Sequence, residues 1–190
     1  MSRASEPSGE AHDAALLQRI AQRDRRALEE LYHAYYRRLS RFLLRLAPRH
    51  DFADEIINDT FWVVWRQADR FRGASRVSTW IMGIAYRRAL RALRDARHAA
   101  RFTGGPLPEE IRAEEDTGDL QDWVASALRT LPEEQRLALE LAYFMGHSCE
   151  EIAAITHCPV GTVKARLFHA REKLRTALPR LAGRTASSQP

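Results

Sequence analysis

Ser148-Cys149-Glu150-Glu151-Ile152-Ala153-Ala154-Ile155-Thr156-His157-Cys158-Pro159-Val160-Gly161-Thr162-Val163-Lys164-Ala165-Arg166-Leu167-Phe168-His169-Ala170-Arg171 contains two short helical patterns separated by a turn. The Ser148 hydroxyl can cap the first helix while Glu151, three residues on, reaches back to the cap's own amide. Gly146, just upstream, suits the end of a preceding helix. Pro159 stops any continuation and fits the first turn of the next helix, where its missing N–H has no intrahelical partner. A second helix from about Val160 follows, and the arrangement is that of a helix-turn-helix.

On a wheel of 3.6 residues per turn, Val163, Leu167, Ala170 and Leu174 share one face of that second helix, and Thr162, Ala165, Arg166, His169 and Lys173 the other. The first face packs. The second has the chemistry to read duplex DNA: small side chains at Gly161, Thr162 and Ala165 let the helix start sit deep in the major groove. There Arg166 can bond guanine O6 and N7, and Thr162 a base edge or phosphate. On this stretch alone, the solvated face of an ordinary helical hairpin remains the plain alternative.

The charge distribution bears on that choice. The 190 residues are 45% apolar, enough for one large or two small cores, and the net charge is +5. Residues 1–12 carry a net −1, residues 13–102 a net +9 from 19 basic and 10 acidic side chains, residues 103–122 a net −6, and residues 123–190 a net +3. Two basic modules joined by an acidic linker suggest that both halves meet phosphate while the connector avoids it. Of the 30 basic residues only Lys164 and Lys173 are lysines, a bias that genome composition explains as well as phosphate recognition does. No run of about 18 apolar residues and no secretory pattern is visible, so a cytoplasmic protein is expected. Cys149 and Cys158 are not expected to form a disulfide in such a compartment. With His147 and His157 they make a superficially metal-like set, but the spacing is not that of a zinc finger, and a packed, inert pair is preferred to a metal or thiol sensor. No metal or cofactor is expected.

The apolar periodicity predicts an all-α chain. Residues 1–12 and 183–190 are small and polar and are expected to be disordered tails. Helices are expected over 13–22 and 25–47, with Gln22-Arg23-Asp24 as the break, over 51–68, and over 78–97 with Ser78 as cap. The loop Phe71-Arg-Gly-Ala-Ser-Arg-Val77 carries a flexible Gly73 and two arginines. The first module thus spans 13–102 and a flexible acidic linker 103–119. The second module, 120–182, is expected to hold helices at 120–129, 132–144, 149–156 and 160–178, with Pro132-Glu133-Glu134 suiting a helix start.

Two further surfaces emerge in the first module. On the third helix Ile57, Phe61 and Val64 group together, and Glu55, Asn58, Asp59, Trp62 and Arg66 share the opposite face. An exposed Trp62 among acidic groups would be a protein-interface anchor; equally, it could fold over the edge of its own core. On the fourth helix Arg87, Arg91 and Arg94 form a stripe below Trp80, a pairing of cations and aromatic surface suited to single-stranded DNA. Trp80 itself reads as core in preference to a stacking platform, and the arginines as functional.

With these residues in hand, positions 13–178 resemble a bacterial sigma factor of the extracytoplasmic-function (ECF) class, the minimal two-domain form. Ala53-Asp-Glu-Ile-Ile-Asn-Asp-Thr-Phe-Trp-Val-Val-Trp65 resembles the family's segment that grips the polymerase clamp helices. Phe71-Arg-Gly-Ala-Ser-Arg-Val-Ser-Thr-Trp-Ile81 is similar to the loop and helix start that capture a flipped-out minus-10 base. Leu131-Pro-Glu-Glu-Gln-Arg136 and Pro159-Val-Gly-Thr-Val-Lys-Ala-Arg-Leu167 resemble the opening of domain 4 and its minus-35 reading helix.

The resemblance implies binding to core RNA polymerase, at its clamp helices and flap, through Asp54, Glu55, Asn58, Asp59 and Trp62. It implies minus-10 contacts at Arg72, Ser75, Arg76, Trp80, Arg87, Arg91 and Arg94, and minus-35 contacts at Thr162, Lys164, Ala165, Arg166, His169 and Lys173. It also implies a dedicated anti-sigma factor, often membrane-linked, and no small-molecule substrate. The chain departs from the family pattern at Tyr86-Arg87, where Arg-Asn is frequent, and at Arg91, where Asp is common. His157 stands where the turn usually has Gly and positive φ is required, which His tolerates better than most residues. Cys158 stands at an aliphatic site, and His169 replaces a frequent Arg, so phosphate affinity there would weaken as pH rises through the imidazole pKa. No nucleophile–base pair or phosphate-binding Gly loop is present, which leaves an enzyme reading unsupported. A duplex-only helix-turn-helix regulator and an interaction-only protein are the remaining alternatives.

Overall fold

The computed structural model describes residues 7–47, 49–103, 127–128 and 130–185. Among these every regular element is helical: α1 Pro7–Ala21, α2 Arg25–Leu46, α3 His50–Gln67 and α4 Val77–Thr103, then α5 Glu133–Leu139, α6 Cys149–Thr156 and α7 Val160–Thr185. A 3₁₀ turn, Ala68–Arg70, follows α3, and one π turn, Glu140–Phe144, continues α5. The chain divides into two compact units, one built from α1 to α4 and the other around α5, α6 and α7.

In the first unit α2 packs on α1 and α3, α3 on α4, and α1 on the 3₁₀ turn. Leu16, Leu17 and Ile20 of α1, Leu31, Leu39, Phe42 and Leu43 of α2, Ile57 and Val64 of α3, and Ile81, Met82 and Ala85 of α4 are buried together at helical spacing. Burying each large side chain of this kind contributes about 1.5–3 kcal/mol. The break between α1 and α2 falls at Gln22-Arg23-Asp24, as the polar triplet predicts. Asp24 caps α2, its carboxylate accepting from the Arg26 and Ala27 amides at 2.9 and 3.2 Å, while Arg19 of α1 holds the same carboxylate at 2.7 Å. These partners keep the Asp24 carboxyl below its ordinary value, the Arg19 hydrogen bond being the largest cause. Arg23 takes φ 68°, a left-handed conformation unusual for a non-glycine residue. Its guanidinium donates to the Trp65 carbonyl at 2.9 Å and lies 5.4 Å from the Trp65 ring centroid, which fixes the turn against the end of α3. Tyr35 donates to Asp13, and burial pushes its phenol well above the ordinary tyrosine range.

Four boundaries differ from expectation. α1 begins at Pro7, so residues 7–12, assigned from composition to a structureless tail, are helical. Proline fits a helix start, and Glu10 in the first turn is tied into the fold: its carboxylate accepts from the Val77 amide at 2.5 Å. That contact also accounts for the start of α4 one residue ahead of Ser78. The N–H at the helix start, which has no intrahelical partner, is satisfied by Glu10 from another helix, and Ser78 lies within the first turn. At their far ends α4 continues to Thr103 instead of 97, and α7 to Thr185, past both 178 and the expected tail start at 183. Most of the acidic linker and of the expected helix 120–129 lies outside the described residues; Ala127 and Leu128 are helical.

In the second unit α5 packs on α7, and the core holds Leu131, Leu137, Leu141, Ile152, Val163, Leu167 and Ala170. Gly146, at φ +71°, ends the segment before α6, with the His147 amide bonded back to the Leu141 carbonyl at 2.9 Å. The capping box at Ser148 is complete: the Glu151 amide donates to the Ser148 hydroxyl at 3.2 Å and the Ser148 amide to the Glu151 carboxylate at 2.8 Å.

Candidate nucleic-acid and partner interfaces

The first surface is the outer face of α3. Core positions 53, 57, 60, 61 and 64 turn one side of the helix inward, so Asp54, Glu55, Asn58 and Trp62 share the exposed side. Trp62 is 58% exposed, which excludes the alternative that it folds over its own core. Its surroundings are ordered by neighbouring helices. Along one edge, Tyr36 of α2 donates to Asp54 at 2.7 Å and Tyr32 to Asn58 at 3.3 Å. The two tyrosine rings lie 5.6 Å apart, and Tyr32 rests 5.0 Å from Phe61. Along the other edge, Asp59 meets Arg88 of α4 at 3.4 Å. The five residues expected to bind a partner are thus brought onto one face, framed by Tyr32, Tyr36 and Arg88. Nothing in local spacing pointed to those three, because their partners are 18 to 29 positions away.

The second surface is the loop between the 3₁₀ turn and α4. Arg72, Gly73, Ala74 and Arg76 are exposed and Ser75 is half-buried. Gly73 takes φ +68°, a conformation open to glycine at little cost. Trp80 is half-buried with its ring centroid 5.3 Å from that of Phe71. It therefore braces the loop's first residue against α4, which agrees with its reading as core more than as an open stacking platform. Arg87, Arg91 and Arg94 are all exposed along α4. Arg91 lies 3.8 Å from Asp95, and the Arg94 side chain donates to the Leu90 carbonyl at 3.3 Å.

The third surface is the start of α7. The αL residue between α6 and α7 is His157, at φ 52°, as its position in the turn requires. With Val163, Leu167 and Ala170 buried and α7 packed on α5, Ala165, His169 and Lys173 are exposed and Thr162 half-buried on the outward side. Lys164 is exposed but stands apart. At about 100° per residue it lies roughly 160° around the helix from Thr162, away from that outward side. Arg166 is on that face but not free: its Nη2 meets the Glu134 carboxylate of α5 at 2.5 Å, its Nη1 lies 3.5 Å from Cys158 Sγ, and only 22% of its side chain is exposed. On the flank beyond Lys164, Phe168 is exposed and Arg171 donates to the hydroxyl of the exposed Tyr143 at 2.9 Å; Phe144, next in sequence, is exposed as well. Sequence reading missed this aromatic face.

His147 is buried, its Nδ1 3.6 Å from Glu151, and the thiol of Cys158 sits beside Arg166. Among the described residues no three His, Cys, Asp or Glu side chains converge on a metal-sized site, and no helix is long and apolar enough to cross a membrane.

A helix-turn-helix with a basic outward face, and a separate helical unit presenting an aromatic–acidic face and an arginine stripe, together define a nucleic-acid-binding protein with an additional docking surface. Family comparisons specify the class further. The model described as Sigma-70 region 2 matches residues 31–99 and that described as Sigma-70, region 4 matches residues 121–174. The ECF RNA polymerase sigma-E factors of Escherichia coli and Salmonella typhi are each 34% identical over 176 residues, covering 85% of this chain and 92% of the relative. Among solved structures, the sigma factor RpoE in complex with the anti-sigma factor NepR from Bartonella quintana aligns with a TM-score of 0.68 at 28% identity, covering 80% of this chain and 96% of that one. CnrH in complex with the cytosolic domain of CnrY aligns with a TM-score of 0.67 at 25% identity, covering 89% and 98%. The chain belongs to the ECF sigma factors of the sigma-70 family.

Proposed function

We propose that this protein binds core RNA polymerase, directs it to promoters by their minus-35 and minus-10 elements, and promotes DNA melting. The observation that carries the reading is one chain's possession of both an exposed Trp62 on a tyrosine-framed acidic face and a helix-turn-helix with an outward basic face. A duplex-only regulator has no use for the first surface.

In this reading Trp62, with Asp54, Glu55, Asn58 and Asp59, docks on the polymerase clamp helices, and the second module meets the flap. Thr162, Ala165, Arg166, His169 and Lys173 face the minus-35 duplex, with Lys164 at most on its phosphates. Arg72, Ser75 and Arg76 in the loop capture the unstacked minus-10 base, and Arg87, Arg91 and Arg94 follow the single strand, with Trp80 supporting the loop. Base capture offsets part of the unstacking cost, a few kcal/mol per base. The factor works in the cytoplasm, performs no covalent chemistry and uses no cofactor. Of the two solved relatives named above, RpoE was captured with the anti-sigma factor NepR and CnrH with the cytosolic domain of CnrY, and an anti-sigma partner that covers the promoter- and polymerase-binding faces suits this chain.

The test is transcription in vitro with purified core polymerase on a pool of promoter fragments. Discrete start sites that require the protein, and that shift when Arg166 is replaced, are expected. Tight duplex binding by the protein alone with no promoter specificity conferred on polymerase would replace this reading with the regulator.

A further inference from the structure

The guanidinium best placed on the outward face of α7 is already occupied. Arg166 reaches back across α5 to the Glu134 carboxylate at 2.5 Å, and that carboxylate is itself 70% exposed. Glu134 stands in the first turn of α5, two residues after Pro132, where its charge also suits the positive end of that helix. The second terminal nitrogen of Arg166 rests 3.5 Å from Cys158 Sγ, which holds the side chain along the turn. A charge-assisted pair of this geometry neutralises the cation that a phosphate or a guanine edge would otherwise attract.

We propose that Glu134 is an internal competitor for DNA at Arg166: this guanidinium engages a duplex only by exchanging the Glu134 carboxylate for a nucleic-acid acceptor, and on a duplex that offers it only a phosphate the ion pair persists. Glu134 thereby restrains affinity for DNA that offers Arg166 nothing better than a phosphate. The inference rests on the reading of α7 as a duplex-binding helix. Freeing Arg166 adds one cation to the binding interface. Each added phosphate contact steepens the dependence of log K on log salt by about 0.9, roughly eight-fold in affinity between about 1 M and about 0.1 M salt.

The experiment measures binding of the full chain to a fluorescein-labelled duplex of mixed sequence across a salt series, for wild type, Glu134→Gln, Arg166→Ala and the double variant, with a melting curve for each. Expected is tighter binding by Glu134→Gln at low salt, by about five- to ten-fold, a slope steeper by about 0.9, and disappearance of both gains in the Arg166→Ala background. An equal gain in that background means that Glu134 acts only by its own repulsion of phosphate, and overturns the proposal. No gain from Glu134→Gln while the chain still binds duplex also overturns it. Absence of salt-dependent duplex binding by all four proteins removes both the proposal and the DNA-binding reading of the module.

Discussion

Replacing Trp62 by Ala separates docking from folding. The residue is 58% exposed on α3, while its neighbours on the inward side, Ile57, Phe61 and Val64, are buried. An aromatic side chain of this size presents up to about 250 Å², so the exposed portion leaves roughly 145 Å² to bury, worth about 3.6 kcal/mol at 25 cal/mol per Å². Ordering costs at an interface consume part of that, and a net loss of about 2 kcal/mol, or roughly 30-fold in Kd for core polymerase, is expected. The acidic rim holds its geometry through Tyr36–Asp54 and Tyr32–Asn58, neither of which depends on the indole, so the variant should melt within about 1 °C of wild type. Ile57→Ala is the contrasting change: it opens a cavity in the core and should cost about 2–5 kcal/mol of stability. The assay is titration of labelled protein with core polymerase, alongside thermal unfolding followed by circular dichroism. Unchanged affinity in Trp62→Ala, or a fall in melting temperature comparable to that of Ile57→Ala, would refute the assignment of this face.

Glu10→Ala removes the acceptor for the Val77 amide at the start of α4 and should lower stability by about 1 kcal/mol, a shift of about 4–8 °C in thermal unfolding of the first unit; no shift would mean that residues 7–12 do not contribute to the fold. His157→Gly relieves a left-handed backbone and should stabilise the second unit by about 1 kcal/mol, measured by denaturant titration. Arg23→Gly, at the other positive φ, should give no gain, because it also forfeits the Trp65 contacts; equal gains at both sites would contradict this account. Asp24→Asn keeps a capping side chain but loses the charge paired with Arg19. Because the Asp24 pKa in the folded protein lies below its ordinary value of 3.8, the charge stabilises the fold above that pH and the contribution disappears as pH falls through the depressed value. The wild-type advantage in melting temperature should therefore be full near neutrality and vanish in strong acid, and a pH-independent difference would exclude the ion pair as its source.

Local chemistry was legible and long-range pairing was not. The Ser148–Glu151 capping box and the glycine stop at 146 involve residues within a few positions of one another, so spacing alone places them, while the αL turn at His157 was implied by the family resemblance. The same holds for the exposure of Trp62, which follows from the helical period of its buried neighbours. Composition misled at residues 7–12, because what orders them is a carboxylate meeting an amide 67 positions away. It was equally silent about Tyr143 and Phe144, which stand on a π turn whose wider hydrogen-bond ring breaks the 3.6-residue pattern that a wheel assumes. Arg166 shows most clearly how this limit reaches function. Its place on the outward face of α7 is a local fact, correctly anticipated, but its availability depends on Glu134, 32 residues earlier on another helix. A binding residue read from a sequence is a position and a chemistry. Whether it engages a ligand freely or only by exchange with a partner is set by packing, and at this helix packing has put the Glu134 carboxylate on the Arg166 guanidinium.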